Sequence, residues 1–261
     1  MYPRPDKMTP EYPRGRGGWY NPTRTPRLIL MVLALTSLMF ILARMIPTRS
    51  PVESWSGHGD GLIILHVFEF ACLGFMITSF FHAWKHWDRR KAILFFTFAL
   101  LYGFILEDFT VTYSQYYHYN PSAWIVIHNT MMAVPFCWTA IIYVCIYLIE
   151  KNTALNGLTK IEKGLLAGVL AVSIDVGIDA VFTAYGLWHW GEGQWFGVPL
   201  ANYTAWFMAV GGFTVIWFDI DALKAYRIVK ELGLGLGMII SYGLLLVMVY
   251  FTYLASEVVF G

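Results

Sequence analysis

The feature that most constrains this chain is the recurrence of apolar stretches about as long as a bilayer is thick. Crossing a hydrocarbon core of ~30 Å takes about 20 helical residues, because lipid offers no partner to unpaired backbone N–H and C=O groups. Seven stretches meet that length: 28–46, 61–83, 92–112, 125–149, 164–186, 201–219 and 232–256. The segments between them, such as Lys85–Lys91 and Glu150–Lys163, are short and polar, leaving no room for a soluble domain. Composition agrees, with 57% hydrophobic and 13% charged residues against roughly 25% charged in soluble domains. The expectation is an all-α polytopic membrane protein, a seven-transmembrane-helix bundle over 28–261. A basic tail rich in proline and glycine, residues 1–27, precedes it and is expected to be flexible.

The basic residues orient the bundle, since Lys and Arg accumulate in cytoplasmic loops. Arg4, Lys7, Arg14, Arg16, Arg24 and Arg27 lie in the tail. Lys85, Arg89, Arg90 and Lys91 follow the second span, Lys151, Lys160 and Lys163 the fourth, and Lys224, Arg227 and Lys230 the sixth. Only Arg44 and Arg49 fall on the other side. The N-terminus is therefore expected inside and Gly261 outside, in a cell membrane. A net charge of +1 with no basic domain gives nucleic acid nothing to bind. Cys72, Cys137 and Cys145 all lie in apolar spans and read as packing residues, not a disulfide framework.

Charged side chains inside a bilayer cost about 2.5–3.5 kcal/mol each on insertion scales and normally face a protein interior. Here they are Glu69, Glu107, Asp108, Asp175 and Asp179, with His66, His128, Asn129 and Asn202 as polar companions. The orientation places all of them in the outer half of the membrane. Asp179 lies roughly 10 Å below the outer end of the fifth span and Asp175 one turn deeper. One polar cavity opening toward the outer leaflet follows. Asp175 and Asp179 are spaced i,i+4, and His66 and Glu69 i,i+3, so each pair shares a helix face. Two carboxylates so close in low dielectric do not both ionise comfortably, and one is expected to hold a proton, a candidate acid beside a candidate base.

Trp188, Trp190 and Trp195 crowd the loop between the fifth and sixth spans. Indoles favour the membrane interface, and their ring faces also stabilise cations. His66, Glu69, His128 and the aspartates could together hold a divalent metal, but no compact motif such as HExxH supports one, and no metal is assigned. Pro135, inside the fourth predicted span, reads as a kink. A retinal-binding rhodopsin would need a lysine in the last span, and 232–256 has none. A prenyltransferase would need cations near its diphosphate, and the outer half offers only Arg44 and Arg49.

Residues Gly168 to Trp206 resemble the carotenoid biosynthesis family of membrane hydratases, which includes bisanhydrobacterioruberin hydratase and the carotenoid 1,2-hydratases. The resemblance rests on Asp175-Val176-Gly177-Ile178-Asp179, on Gly186-Leu187-Trp188-His189-Trp190, and on Trp195-Phe196-Gly197-Val198-Pro199-Leu200-Ala201-Asn202 with Trp206. Gly103, Glu107, Tyr117, Tyr119, Val134-Pro135 and Trp138 form a second, looser block. Where the family pattern often has proline after the second aspartate, this chain has Ala180. The resemblance implies hydration of a terminal isoprenoid double bond, for example of a C50 bacterioruberin precursor, with no cofactor. It implies Asp175, Asp179 and Glu107 as catalytic groups. Glu69, His66, Asp108, His128, Asn129, Trp188, Trp190, Trp195, Asn202 and Trp206 would surround the carotenoid or other membrane lipid. The alternative is a proton-coupled transporter or lipid-binding membrane protein using the same carboxylates as a relay.

Overall fold

The computed structural model describes residues 59–113, 117–191, 193–220 and 234–260. The predicted tail over 1–27 and the predicted span over 28–46 lie outside the described residues. Six α-helices are found among those described: α1 (Gly59–His86), α2 (Arg89–Tyr113), α3 (Ala133–Lys151), α4 (Lys160–Ala184), α5 (Leu200–Phe218) and α6 (Leu234–Phe260). All but α5 are long and apolar enough to cross a membrane. The 19-residue α5 is packed between α4 and α6.

Local chemistry fixes the helix starts. Asp88 accepts from the backbone N–H groups of Arg90 and Lys91 at 2.9 and 3.3 Å, so only Trp87 and Asp88 separate α1 from α2. Thr159 and Glu162 close a reciprocal capping box at the head of α4. The fourth predicted span is corrected at its start. Residues 126–131 form a short hairpin, β2 (Val126–Ile127) with β3 (Thr130–Met131), and the helix begins at Ala133. The apolar run Trp124–Ile127 reads as helix by composition alone, but His128 at φ 53 turns the chain. Pro135 consequently lies in the first turn of α3, where a missing N–H costs nothing and no kink is needed.

The helices approach closely where side chains are absent. A β-carbon on Gly164 or Gly168 of α4 would collide with Val215, the Gly211 carbonyl or Phe207 of α5, the small-residue packing typical of membrane helices. At one end of the bundle α1, α3 and α5 finish and α2 and α4 begin. Every described Lys and Arg sits there. Glu150 accepts from Lys91 Nζ and Trp87 Nε1, both at 2.8 Å, and Lys160 pairs with Asp219. At the opposite end β1 (Tyr117–Tyr119) pairs antiparallel with β4 (Trp188–Trp190).

Candidate functional site

The site lies at the end away from the basic residues. Asp175 and Asp179, one turn apart on α4, are both buried. Asn202 Nδ2 donates to Asp175 Oδ2 at 3.0 Å and also to Asp179 Oδ2. The chain after β4 explains how Asn202 arrives there. Trp195 and Val198 exchange backbone hydrogen bonds at 3.1 and 3.0 Å around Phe196 and Gly197. Both central residues have positive φ, 55° and 79°, as primed hairpin turns require. Pro199 then sits at the cap of α5, whose first turn aims Asn202 at α4. The segment Gly197-Val198-Pro199-Leu200-Ala201-Asn202 is thus a device for placing one amide against two carboxylates.

Glu107, on α2, is likewise buried. Tyr119 Oη donates to one oxygen at 2.7 Å and Trp138 Nε1 to the other at 2.6 Å. Trp138 comes close because its neighbour across the α2–α3 contact is Gly103. Trp138 in turn stacks on Trp206 of α5, centroids 3.6 Å apart and planes 12° from parallel. The β1–β4 ribbon covers this end. Its inward face carries Tyr117 and Tyr119 opposite Trp190 and Trp188, with Tyr117 stacked on Trp190 at 4.2 Å. Burial first, then the neighbouring Glu107, holds the Tyr117 and Tyr119 phenols well above their ordinary range, so they remain donors. His118 and His189 face each other on the outward side. Partial burial and the His118 ring hold His189 below its usual value.

Glu107, Tyr117, Trp138, Asp175, Asp179, Trp188, Trp190, Asn202 and Trp206 line one cavity of about 450 Å³. Its walls are largely aliphatic and aromatic, with Glu107, Asp175, Asp179 and Asn202 among its few polar groups. Trp188 turns toward Asp179, while Trp190 Nε1 and Tyr203 Oη are buried there or beside it without a hydrogen-bond partner in the protein. Such groups are rare in native structures, and these gather at the polar end of the cavity.

The structure therefore divides the residues singled out from the sequence. Glu107, Asp175, Asp179, Trp188, Trp190, Asn202 and Trp206 line the cavity. Glu69, His66, Asp108, His128, Asn129 and Trp195 are not among its lining residues. Glu69 accepts from His66 Nδ1 at 2.9 Å and from the Trp124 backbone N–H at 2.7 Å, tying the loop before β2 to α1. Asp108 accepts from His128 Nδ1 and Thr130 Oγ1 at 2.9 Å and from the Asn129 N–H at 3.3 Å, and Asn129 Nδ2 reaches Thr112 Oγ1. These contacts hold the β2–β3 hairpin. His128 and Asn129 occupy its turn and do not begin a helix. The single polar cavity expected to gather all five carboxylates is thus smaller and more apolar than the sequence suggested. A metal group built from His66, Glu69, His128 and the aspartates does not form, since no three His, Cys, Asp or Glu side chains converge among the described residues. Tyr117, Cys137 and Trp138 line the cavity and Tyr119 holds Glu107 from outside it, positions that sequence patterning did not assign to the site. Trp138 and the two tyrosines carried a signal only through the looser resemblance block.

No curated protein and no solved structure matches the chain. Residues 62–260 match the family described as carotenoid biosynthesis protein, a stretch that contains every residue of the cavity. This helical, membrane-type chain belongs to the carotenoid biosynthesis protein family.

Proposed function

We propose that the protein is a membrane-embedded hydratase that adds water to the terminal isoprenoid C=C of a carotenoid, of the kind found in C50 bacterioruberin precursors. The observation that carries this reading is the Asp175–Asp179 pair, joined by one amide and buried at the head of an apolar, aromatic cavity. Two carboxylates that share a single donor, far from any described Lys or Arg, are suited to hold one proton between them. Asp175, whose Oδ1 meets no N–H donor from the protein, delivers that proton to the less substituted alkene carbon. The π bond supplies the electron pair, and the positive charge appears on the tertiary carbon. Water adds there, and its proton returns to the pair through Asp179, so substrate plus water becomes alcohol and the acid is regenerated.

The remaining residues fit this sequence of steps. Indole and phenol faces at Trp188, Trp190, Trp206 and Tyr117 stabilise the cation. Glu107, held by Tyr119 and Trp138, orients the water or balances the charge. The bundle is read with seven spans, the segment 28–46 supplying the first, the N-terminus inside and the C-terminus outside a cell membrane. The gathering of the described Lys and Arg at the end opposite the cavity supports that orientation.

The test is hydration of an acyclic carotenoid in membranes, followed as gain of the mass of one water. Asp175→Asn and Asp179→Asn are each expected to lower the rate by about 10²–10⁴-fold, the usual contribution of a general acid or base. Wild-type rates in both variants would overturn the proposal.

A further inference from the structure

The cavity does not end at the carboxylates. Its lining continues along α2 through Ile105 and Phe109 and along α6 through Val247, Tyr250 and Phe251. Ile105, Val247 and Phe251 are 48%, 52% and 64% exposed, so the wall of the cavity is also part of the outer surface of the described helices. The two helices touch through Tyr242, which packs against Phe98 and Tyr102. Farther toward the β1–β4 end one aromatic pair crosses the seam: Phe109 and Tyr250, edge to face with centroids 4.7 Å apart. The other way out, through the end of the bundle, is covered by Tyr117, Trp188 and Trp190 of the ribbon, all buried.

We infer that the α2–α6 seam is a lateral portal through which a linear isoprenoid hydrocarbon slides from the bilayer, with the Phe109–Tyr250 pair as its latch. This rests on the hydration reading for its chemistry but not for its geometry. The physical argument concerns where the cost of transfer falls. A polyene has no reason to leave lipid for water, because each buried CH₂ group contributes about 0.8 kcal/mol. The seam lets its end group reach Asp175 without crossing an aqueous phase. A cavity of about 450 Å³ is the size that encloses a drug-sized ligand, not a chain of bilayer length. Only the end group and the first few isoprene units enter, and the remainder stays between α2, α6 and the lipid. The site therefore selects an end group and is indifferent to total chain length.

The experiment places a photoreactive benzoyl-phenylalanine at Phe109, at Phe251 and, as a reference on an exposed apolar face of α1, at Phe70. Each full-length variant is reconstituted in phospholipid vesicles with an acyclic C40 polyene hydrocarbon and irradiated. Polyene crosslinks at Phe109 and Phe251 are expected to exceed those at Phe70 at least tenfold. Equal crosslinking at all three sites would overturn the portal. Repeating the measurement with Asp175→Asn separates the two ideas. Crosslinks that persist while wild-type protein adds no water would sink the hydratase reading and leave a polyene-binding seam. Hydration by the wild type without enriched crosslinks would sink the portal alone. As a second measurement, Val247→Trp is expected to lower kcat/KM about tenfold, and kcat/KM of the wild type is expected to differ less than threefold between C30 and C50 substrates bearing the same end group. A steep dependence on chain length would overturn the end-group inference.

Discussion

Asn202 and Asp175 are joined across the α4–α5 interface by one hydrogen bond of 3.0 Å, from a residue in the first turn of one helix to a carboxylate well inside the other. The same amide also serves Asp179, so removing it affects both acids at once. Asn202→Ala leaves two buried carboxylates without their common donor, at about 1–3 kcal/mol for each unsatisfied group. The expected outcome is a hydration rate lowered by about 10²-fold, of the size seen when one preorganised hydrogen-bond donor is removed from an active site. Asn202→Asp is expected to be at least as damaging, since it adds a third acid in place of the donor. Product formation by mass, with expression and helicity as controls, checks both.

Glu107 separates a structural from a chemical role. Both of its oxygens are occupied by buried donors, Tyr119 and Trp138. In Glu107→Gln the amide oxygen can keep the Trp138 N–H, and the Tyr119 hydroxyl can turn to accept from the amide nitrogen. The unfolding temperature in detergent is therefore expected to change little while hydration falls. Tyr119→Phe is the opposite case, stranding a carboxylate oxygen and costing about 1–3 kcal/mol of stability. If Glu107→Gln retains full activity, Glu107 takes no part in handling water or charge.

The six described helices, apart from the start of α3, and the acid pair were legible in the sequence because they are local patterns. Their approximate bounds follow from runs of apolar residues, and Asp175 and Asp179 share a face because of their i,i+4 spacing alone. The ribbon over the cavity was not legible. Tyr117–Tyr119 and Trp188–Trp190 are three-residue strands far apart in the chain, and nothing in either segment's periodicity names the other. Glu69 and Asp108 misled for a related reason. An intramembrane charge signals that a partner exists, but it does not say whether that partner is a substrate or the backbone N–H of Trp124 or Asn129. The β2–β3 hairpin was hidden by its own composition, since Trp124–Ile127 is as apolar as the helix that follows.

That correction has a direct consequence for Asp108. Its partners His128, Asn129 and Thr130 all belong to the hairpin, and His128 is more than half exposed. An exposed side-chain contact of this kind contributes about 0–1 kcal/mol. Asp108→Asn is expected to loosen the hairpin, seen as faster amide exchange at Ile127 to Thr130, while kcat for hydration stays within about threefold of wild type. A loss comparable with that of Asp175→Asn would return Asp108 to the chemistry.

Cys137 offers a test of the cavity that needs no assumption about the reaction. All three cysteines are free thiols, but they differ in what they face. Cys145 is buried in the core and Cys72 is packed against Cys137, whereas Cys137 lines the cavity beside Asp175. Thiols react where reagent can reach them, and here the route of access is apolar. A lipid-soluble maleimide added to membranes is expected to modify the peptide containing Cys137 well ahead of the one containing Cys145. A charged, membrane-impermeant maleimide at the same concentration is expected to leave both intact. The adduct fills space that a substrate end group would occupy, so labelling and loss of hydration should rise together. Whatever activity Cys137→Ala retains should resist the reagent. Equal labelling of Cys137 by both reagents would mean that water, not lipid, fills the path to the carboxylates, and the covered ribbon end would then have to be the open one.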